Sequence, residues 1–313
     1  MTLDAVIGEY VALGQAMGYA FTTHRAVLQS FGRAMGRDLA LSAVAPERVR
    51  VFLGPPTTCN WHHKASILRG FYRYAVSRGH VPTSPLPPLA PKLPPPFVPY
   101  VYTQEEIRRL LEATTSYRTI HRLLEPHTFR ALLLVLYGAG LRISEALAFR
   151  LADVDFAQAV LVVRATKFYK ARLVPMGTQL HTALAHYATA RRTAGHAERP
   201  DTPFFVGRTG HPLTIPTVQQ AFRRLRAHAG IRRPGGARHQ PRLHDLRHAA
   251  AVHRLVAWYR AGADVTRLLP KLSTYLGHLG LSSTQRYLTM TPALLQAAGT
   301  RFEQYAMRGG SDA

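Results

Sequence analysis

The chain of 313 residues is too long for one ordinary core and has room for two domains of about 100 to 200 residues; with 47% hydrophobic and 18% charged residues it excludes wholesale disorder. Forty Lys and Arg against 17 Asp and Glu give a formal charge of +23 and a pI near 11.1, a balance that points to a polyanionic partner, nucleic acid first. The excess is no detachable tail, since residues 1–99 hold 10 basic and 4 acidic side chains and the remainder 30 and 13, and 35 of the 40 cations are Arg, whose planar fork can bind phosphate bidentately.

In chain order, the first elements read as a small all-helical module. Thr22 or Thr23 is expected to cap a segment reaching about Met35, and Pro46 to open another. A third segment carries Ile67, Phe71 and Tyr74 at helical spacing. It also carries His62, His63, Lys64, Arg69, Arg73 and Arg78, which suits an apolar stripe packed inward and a basic face turned to DNA. Between Pro82 and Pro99 nine of eighteen residues are proline, which fixes φ and removes backbone donors, so residues 82–99 are read as an extended linker between a domain at 1–81 and a second at 100–313.

After the linker, Thr103 with Glu106 three residues later has the form of a capping box and opens a helix through Ile107, Leu110 and Leu111. An apolar helix from about Thr128 to Tyr137 ends at a Gly-Ala-Gly turn, and the next helix carries Arg142, Glu145 and Leu147. The period then changes: Val160–Arg164 and Arg172–Met176 flank a polar stretch with Lys167 and Lys170, the pattern of a β-hairpin. The rest reads as helical, apart from a short strand expected at Phe204–Val206 and a Gly/Pro/Arg-rich loop from Arg232 to Arg242. That loop, with Arg232, Arg233, Arg238 and Arg242, suits contact with a phosphate backbone. The expected fold is mainly α with a small antiparallel sheet.

The single cysteine, Cys59, allows no internal disulfide and fits a reducing cytoplasm, and no Cys/His cluster has the spacing of a structural zinc site. The longest apolar stretch, Ala131 to Leu141, is about half the roughly 20 residues that span a bilayer, and the start of the chain, with Asp4 and Glu9, lacks a signal peptide's basic and apolar regions. Neither a membrane, a metal nor an organic cofactor is expected.

His244-Asp245-Leu246-Arg247 sets a proton acceptor and a phosphate-binding fork three residues apart on one helical face. Such a pair arises easily in a chain with 16 His. The ordered set says more: Gly140-Leu141-Arg142-Ile143-Ser144-Glu145, a lysine in a hairpin, His-x-x-Arg, Leu276-Gly277-His278, and Tyr287 nine residues on. In that order the chain resembles the tyrosine recombinases over nearly all of residues 100–300, and the preceding helical module is similar to that family's core-binding, SAM-like domain.

The resemblance implies an enzyme that cuts and rejoins DNA through a covalent 3′-phosphotyrosine, without metal or ATP. It assigns Tyr287 as nucleophile, Arg142, Arg247 and His278 as donors to the phosphate oxygens, His244 as proton acceptor, and Lys167 as general acid, with Lys170 an alternative. Glu145 would support the pocket by hydrogen bonding, while His248 and Tyr275 match no catalytic position and are read as packing. The segment from Arg247 to His278 is longer than in many members and should add helix or a turn. An amphipathic tail over Thr291–Met307 implies packing on a neighbouring protomer, hence a homo-tetramer on two duplexes, with accessory DNA-bending proteins left open. A type IB topoisomerase and a catalytically inactive DNA-binding regulator remain the alternatives.

Overall fold

In the computed structural model, which describes residues 1–88, 91–92, 98–116, 124–164, 171–277, 282–285, 296 and 299–300, the apolar spacings of the sequence become helices around two cores. The chain divides into two compact units, Met1–Phe97 and Val98–Ala313.

The first unit is built from α1 (Leu3–Ala16), α2 (Thr22–Met35), α3 (Pro46–Leu53) and α4 (Cys59–Ser77). Its core gathers Leu3, Val6 and Ile7 of α1, Leu28 and Phe31 of α2, Val49 and Leu53 of α3, and Trp61, Leu68, Phe71 and Tyr72 of α4. Hydroxyl caps start two of these helices: the Thr2 side chain accepts from Ala5 N–H and that of Thr58 from Trp61 N–H. At α2 the expected threonine cap is replaced. Thr22 is the first helical residue, and Phe21, left-handed at φ 52°, is the cap residue without a side-chain hydrogen bond. Aromatic packing fixes this entry instead, because the Phe21 ring stacks on His24 at 4.5 Å and meets Tyr10 edge-on at 5.4 Å.

The second unit contains α5 (Gln104–Ser116), α6 (Pro126–Gly138), α7 (Ile143–Leu147), strands β1 (Val154–Asp155), β2 (Val160–Val163) and β3 (Arg172–Pro175), then α8 (Thr178–Thr193), α9 (Ile215–His228), α10 (Asp245–Arg260), α11 (Val265–Leu276) and the short α12 (Ser282–Gln285). The expected capping box opens α5: Thr103 N–H donates to Glu106 Oε2 at 2.9 Å, and Glu106 N–H to Thr103 Oγ1 at 3.1 Å. Central α6, buried through Phe129, Leu132, Leu133, Val135 and Leu136, packs against α5, α8 and α10. The sheet is antiparallel in the order β1-β2-β3, with Val160 opposite Pro175 and Val163 opposite Arg172.

Phe204–Val206 does not form a strand. Only isolated bridges occur nearby, Arg150 with Pro203 and Val206 with Pro212; a proline on each side cannot donate the next ladder bond. The segment after Arg247 is helical, in two helices joined at Gly262. α10 runs to Arg260 and packs with α11 on a satellite core of Val252, Leu255, Val265, Leu269, Leu272 and Leu276, with Trp258 and Tyr259 half-buried against it.

Candidate active site

Glu145 is the centre of the site. Arg142 is the N-cap of α7, so its backbone N–H points along the helix at the Glu145 carboxylate, to which it donates at 2.9 Å; its own Nη1 donates there at 2.8 Å. Arg172, at the start of β3, reaches the same carboxylate with both terminal nitrogens, Nη1 at 3.1 Å and Nη2 at 3.0 Å. Arg247 Nη1 lies 3.9 Å from it. Burial alone would push the Glu145 carboxyl up, but hydrogen bonds from Arg172 and from Arg142 overwhelm this and hold it at about 2. One carboxylate thus faces three guanidiniums, leaving positive charge in excess where an anion could sit.

The three arginines share a second set of acceptors at the end of α11. Arg172 Nε donates to the Tyr275 carbonyl at 3.1 Å, Arg247 Nη2 to Leu276 at 2.6 Å and Arg142 Nη2 to Gly277 at 3.2 Å. These are carbonyls that a helix C-terminus leaves unsatisfied, at the negative end of its dipole. Gly277 caps α11 at φ 68°, and a Cβ there would come within 2.5 Å of Arg172 Nη1. Arg247 is 2% exposed and also donates to the Gly140 carbonyl at 2.7 Å, so it is fixed on two sides.

His244 is the N-cap residue of α10 and is exposed, three residues before Arg247. Its imidazole is held below the usual histidine range, first by desolvation among its neighbours and then by the Arg247, Arg242 and Arg142 charges, against a smaller opposing pull from Asp245. A neutral ring can accept a proton. Asp245, fully buried, accepts the Arg242 backbone N–H at 2.8 Å and Arg242 Nη2 at 2.8 Å, which anchors the turn into α10. His248 stands edge-on to His244 at 4.9 Å, and burial followed by His244 takes its imidazole down to about 4. Tyr275 is half-buried beside both cores of this unit.

The structure therefore brings together Arg142, Glu145, His244 and Arg247. Lys167, Lys170, His278 and Tyr287 lie outside the described residues, as does the 291–307 tail apart from residues 296, 299 and 300. In the first unit Lys64 Nζ donates to the Phe52 carbonyl at 2.7 Å and sits 4.3 Å from the centre of its ring, while Arg69 is half-buried and Arg73 exposed. In the 232–242 loop Arg232 is exposed, Arg233 Nη1 donates to the Val98 carbonyl at 2.9 Å, and nothing is described of the Arg238 side chain. Among the described residues no group of three or more His, Cys, Asp or Glu could hold a metal ion, and no helix is long and apolar enough to cross a membrane. Arg172 was not singled out from the sequence. Its signal is strand phase: it shares a face with buried Val174, opposite Leu173, which is 68% exposed, and a cation on an inward face needs a partner.

Residues 101–293 match the phage integrase family. The chain is 35% identical over 317 residues to a putative integrase/recombinase, y4rB, of Sinorhizobium fredii, covering 97% of this chain and 98% of the relative. It is 34% identical over 262 residues to the tyrosine recombinase XerD of Pseudomonas putida, covering 83% and 80%. Its fold is similar to the Tn1549 transposon integrase solved with transposon right-end DNA, at TM-score 0.66 and 16% identity over 98% of this chain and all of that one. It is also similar to a lambda integrase dimer bound to a core site, at TM-score 0.63 and 18% identity over 90% and 97%. These relatives favour strand exchange over the topoisomerase and inactive-regulator alternatives. A matching family pattern over more than half of the chain and a relative matched end to end agree with the arginine-lined site: the chain belongs to the phage integrase family and is a tyrosine recombinase, an enzyme that breaks and rejoins DNA strands.

Proposed function

We propose that Tyr287 attacks the scissile phosphodiester of double-stranded DNA in a pocket formed by Arg142, Lys167, His244, Arg247 and His278. The Tyr287 oxygen bonds to phosphorus as the bond from phosphorus to the 5′ oxygen breaks; the phenol proton passes to His244, and Lys167 protonates the departing oxygen. The products are a 3′-phosphotyrosine and a free 5′ hydroxyl, and the reverse steps join the phosphate to a second strand. Charge builds on the non-bridging oxygens during attack, so donors must already be aimed there, each worth about 3 to 4 kcal/mol by analogy with oxyanion holes.

The observation that carries this reading is the convergence of Arg142 and Arg247 on one ionised carboxylate and the end of α11, with His244 beside them and its imidazole lowered. Lys64, Arg69, Arg73, Lys170, Arg232, Arg233, Arg238 and Arg242 are proposed to contact DNA. The working assembly is a homo-tetramer holding two DNA sites, in the cytoplasm at the nucleoid, acting for a mobile element. The test incubates wild type and Tyr287→Phe, without metal, with nicked suicide substrates taken from the DNA flanking the gene. An SDS-resistant adduct from wild type alone is expected. An adduct from the variant would mean another nucleophile, and binding without any adduct would count against the chemistry.

A further inference from the structure

We infer that Arg172 is a positioning residue for strand cleavage, holding the Glu145 carboxylate so that Arg142 and Arg247 remain turned toward the scissile phosphate. The inference rests on the reading of those two arginines as phosphate-binding forks and adds a residue to which that reading gives no part.

Arg172 is not itself placed to bind substrate. Its side chain is only 11% exposed, and Nε and both terminal nitrogens are directed at protein acceptors, the Tyr275 carbonyl and the two Glu145 oxygens. Three features make the placement specific. Strand phase turns Arg172 to the same face as Val174, which is buried. Gly277, having no Cβ, leaves the space that its guanidinium fills. The residue opposite it in the sheet is Val163, also buried, so the register places Arg172 on the inward face.

The consequence concerns competition. Glu145 is the carboxylate that both Arg142 and Arg247 approach, and an ionised carboxylate attracts a guanidinium fork as a phosphate does. With Arg172 claiming both oxygens, Arg142 contributes one terminal nitrogen and Arg247 stands off at 3.9 Å. With Arg172 removed, Glu145 would be open to bidentate pairing with either, which draws the forks from the phosphate. Arg172 therefore acts through Glu145 on the groups that neutralise the non-bridging oxygens. The rival explanation is that it only anchors the hairpin bearing Lys167, in which case leaving-group protonation would suffer instead.

The two differ in which atom of the substrate matters. Single-turnover adduct formation would be measured for wild type, Arg172→Ala and Arg172→Lys on three otherwise identical suicide substrates. One has the natural scissile phosphodiester. One has a methylphosphonate, in which a methyl group replaces a non-bridging oxygen and removes its charge. One has sulfur in place of the 5′ bridging oxygen, a leaving group that departs without a proton. Arg172→Ala should be slower than wild type by about 100-fold on the phosphodiester and the bridging-sulfur substrate and by less than about 10-fold on the methylphosphonate, the loss expected when an oxyanion donor is misaimed. Arg172→Lys, whose donors all radiate from one nitrogen and cannot reproduce the planar fork across both carboxylate oxygens, should show the same pattern at smaller amplitude.

An equal deficit on phosphodiester and methylphosphonate would overturn the inference, as would rescue by the bridging sulfur or Arg172→Lys at wild-type rates. Ratios between substrates within one variant do not depend on the fraction folded, and Arg172→Lys carries the comparison if the alanine variant does not fold. Wild type forming no adduct on any substrate would instead bring down the underlying chemistry, and the inference with it.

Discussion

Arg247 Nη1 donates to the Gly140 carbonyl at 2.7 Å, tying the first turn of α10 to the bend that leads into Arg142. With its other terminal nitrogen on Leu276, this arginine satisfies two carbonyls from different segments. Arg247→Ala leaves both unpaired, at about 1 to 3 kcal/mol each, and removes a phosphate donor. We expect a loss of about 3 kcal/mol in urea unfolding and at least about 100-fold in adduct formation. A variant as stable as wild type would show that water replaces the guanidinium without cost.

Glu145 separates three guanidiniums that would otherwise repel. Removing one member of such a buried set costs about 3 to 5 kcal/mol. Glu145→Ala should therefore unfold at markedly lower urea than Glu145→Gln, which retains an acceptor oxygen, and both should cleave at least about 10-fold more slowly than wild type. Equal midpoints for the two variants would count against the hydrogen-bonding role.

Gly277→Ala tests the contact with Arg172 separately from backbone strain. Both Gly277, at φ 68°, and Gly262, at φ 66°, are left-handed, but a Cβ at 262 meets nothing within 4 Å whereas one at 277 strikes the Arg172 guanidinium. Each substitution pays about 1 to 2 kcal/mol for the backbone. Only Gly277→Ala should also lower the cleavage rate, by about 10-fold or more. Matched cleavage rates for the two would remove the steric argument.

The pH dependence of stability has two separable limbs. His248 titrates near 4 in the fold against an ordinary 6.5, so the unfolded chain takes up the proton first; stability is unaffected by it above 6.5, declines as pH falls from 6.5 to 4, and levels off below. His244, desolvated by its neighbours, and His253, by burial, are lowered as well and add to the same limb. Glu145, at about 2 against 4.5, contributes stability that is present above 4.5 and lost as pH falls toward 2. Melting temperatures of His248→Gln should fall less steeply than wild type between pH 6.5 and 4.5. Superimposable curves would mean that this imidazole pays no burial cost.

The fold was legible where one signal sufficed. The Thr103–Glu106 capping box, the α4 stripe and the Val/Leu-rich hairpin are each fixed by near neighbours. The bounds of the first helix were not legible although Leu3, Val6, Ile7 and Val11 stand at helical spacing, and at α2 the threonine cap gave way to the Phe21 ring. Local pattern also misled at Phe204–Val206, where buried aromatic packing imitates a strand: Tyr187 lies 5.3 Å from the rings of both Phe204 and Phe205. In the site, Arg142 and Glu145 were readable as a pair because they stand three positions apart. Arg172 was not, since its partners are 27 and 103 positions away and only folding brings them near.

Three successive carbonyls, Tyr275, Leu276 and Gly277, each serve a different arginine from α7, β3 or α10. This makes the chain intolerant of length change at one point and permissive just upstream. A single residue inserted between Ser273 and Tyr275 would shift every acceptor by one place and rotate it by roughly 100° around the helix, mismatching all three donors at once. Residues added where α10 ends and α11 begins, around Gly262, would only lengthen a hairpin of helices. Length change near the three arginines is thereby best absorbed at the far end of α10 and α11, where Trp258 and Tyr259 pack on the satellite core and, among the described residues, none of the three arginines takes its acceptor.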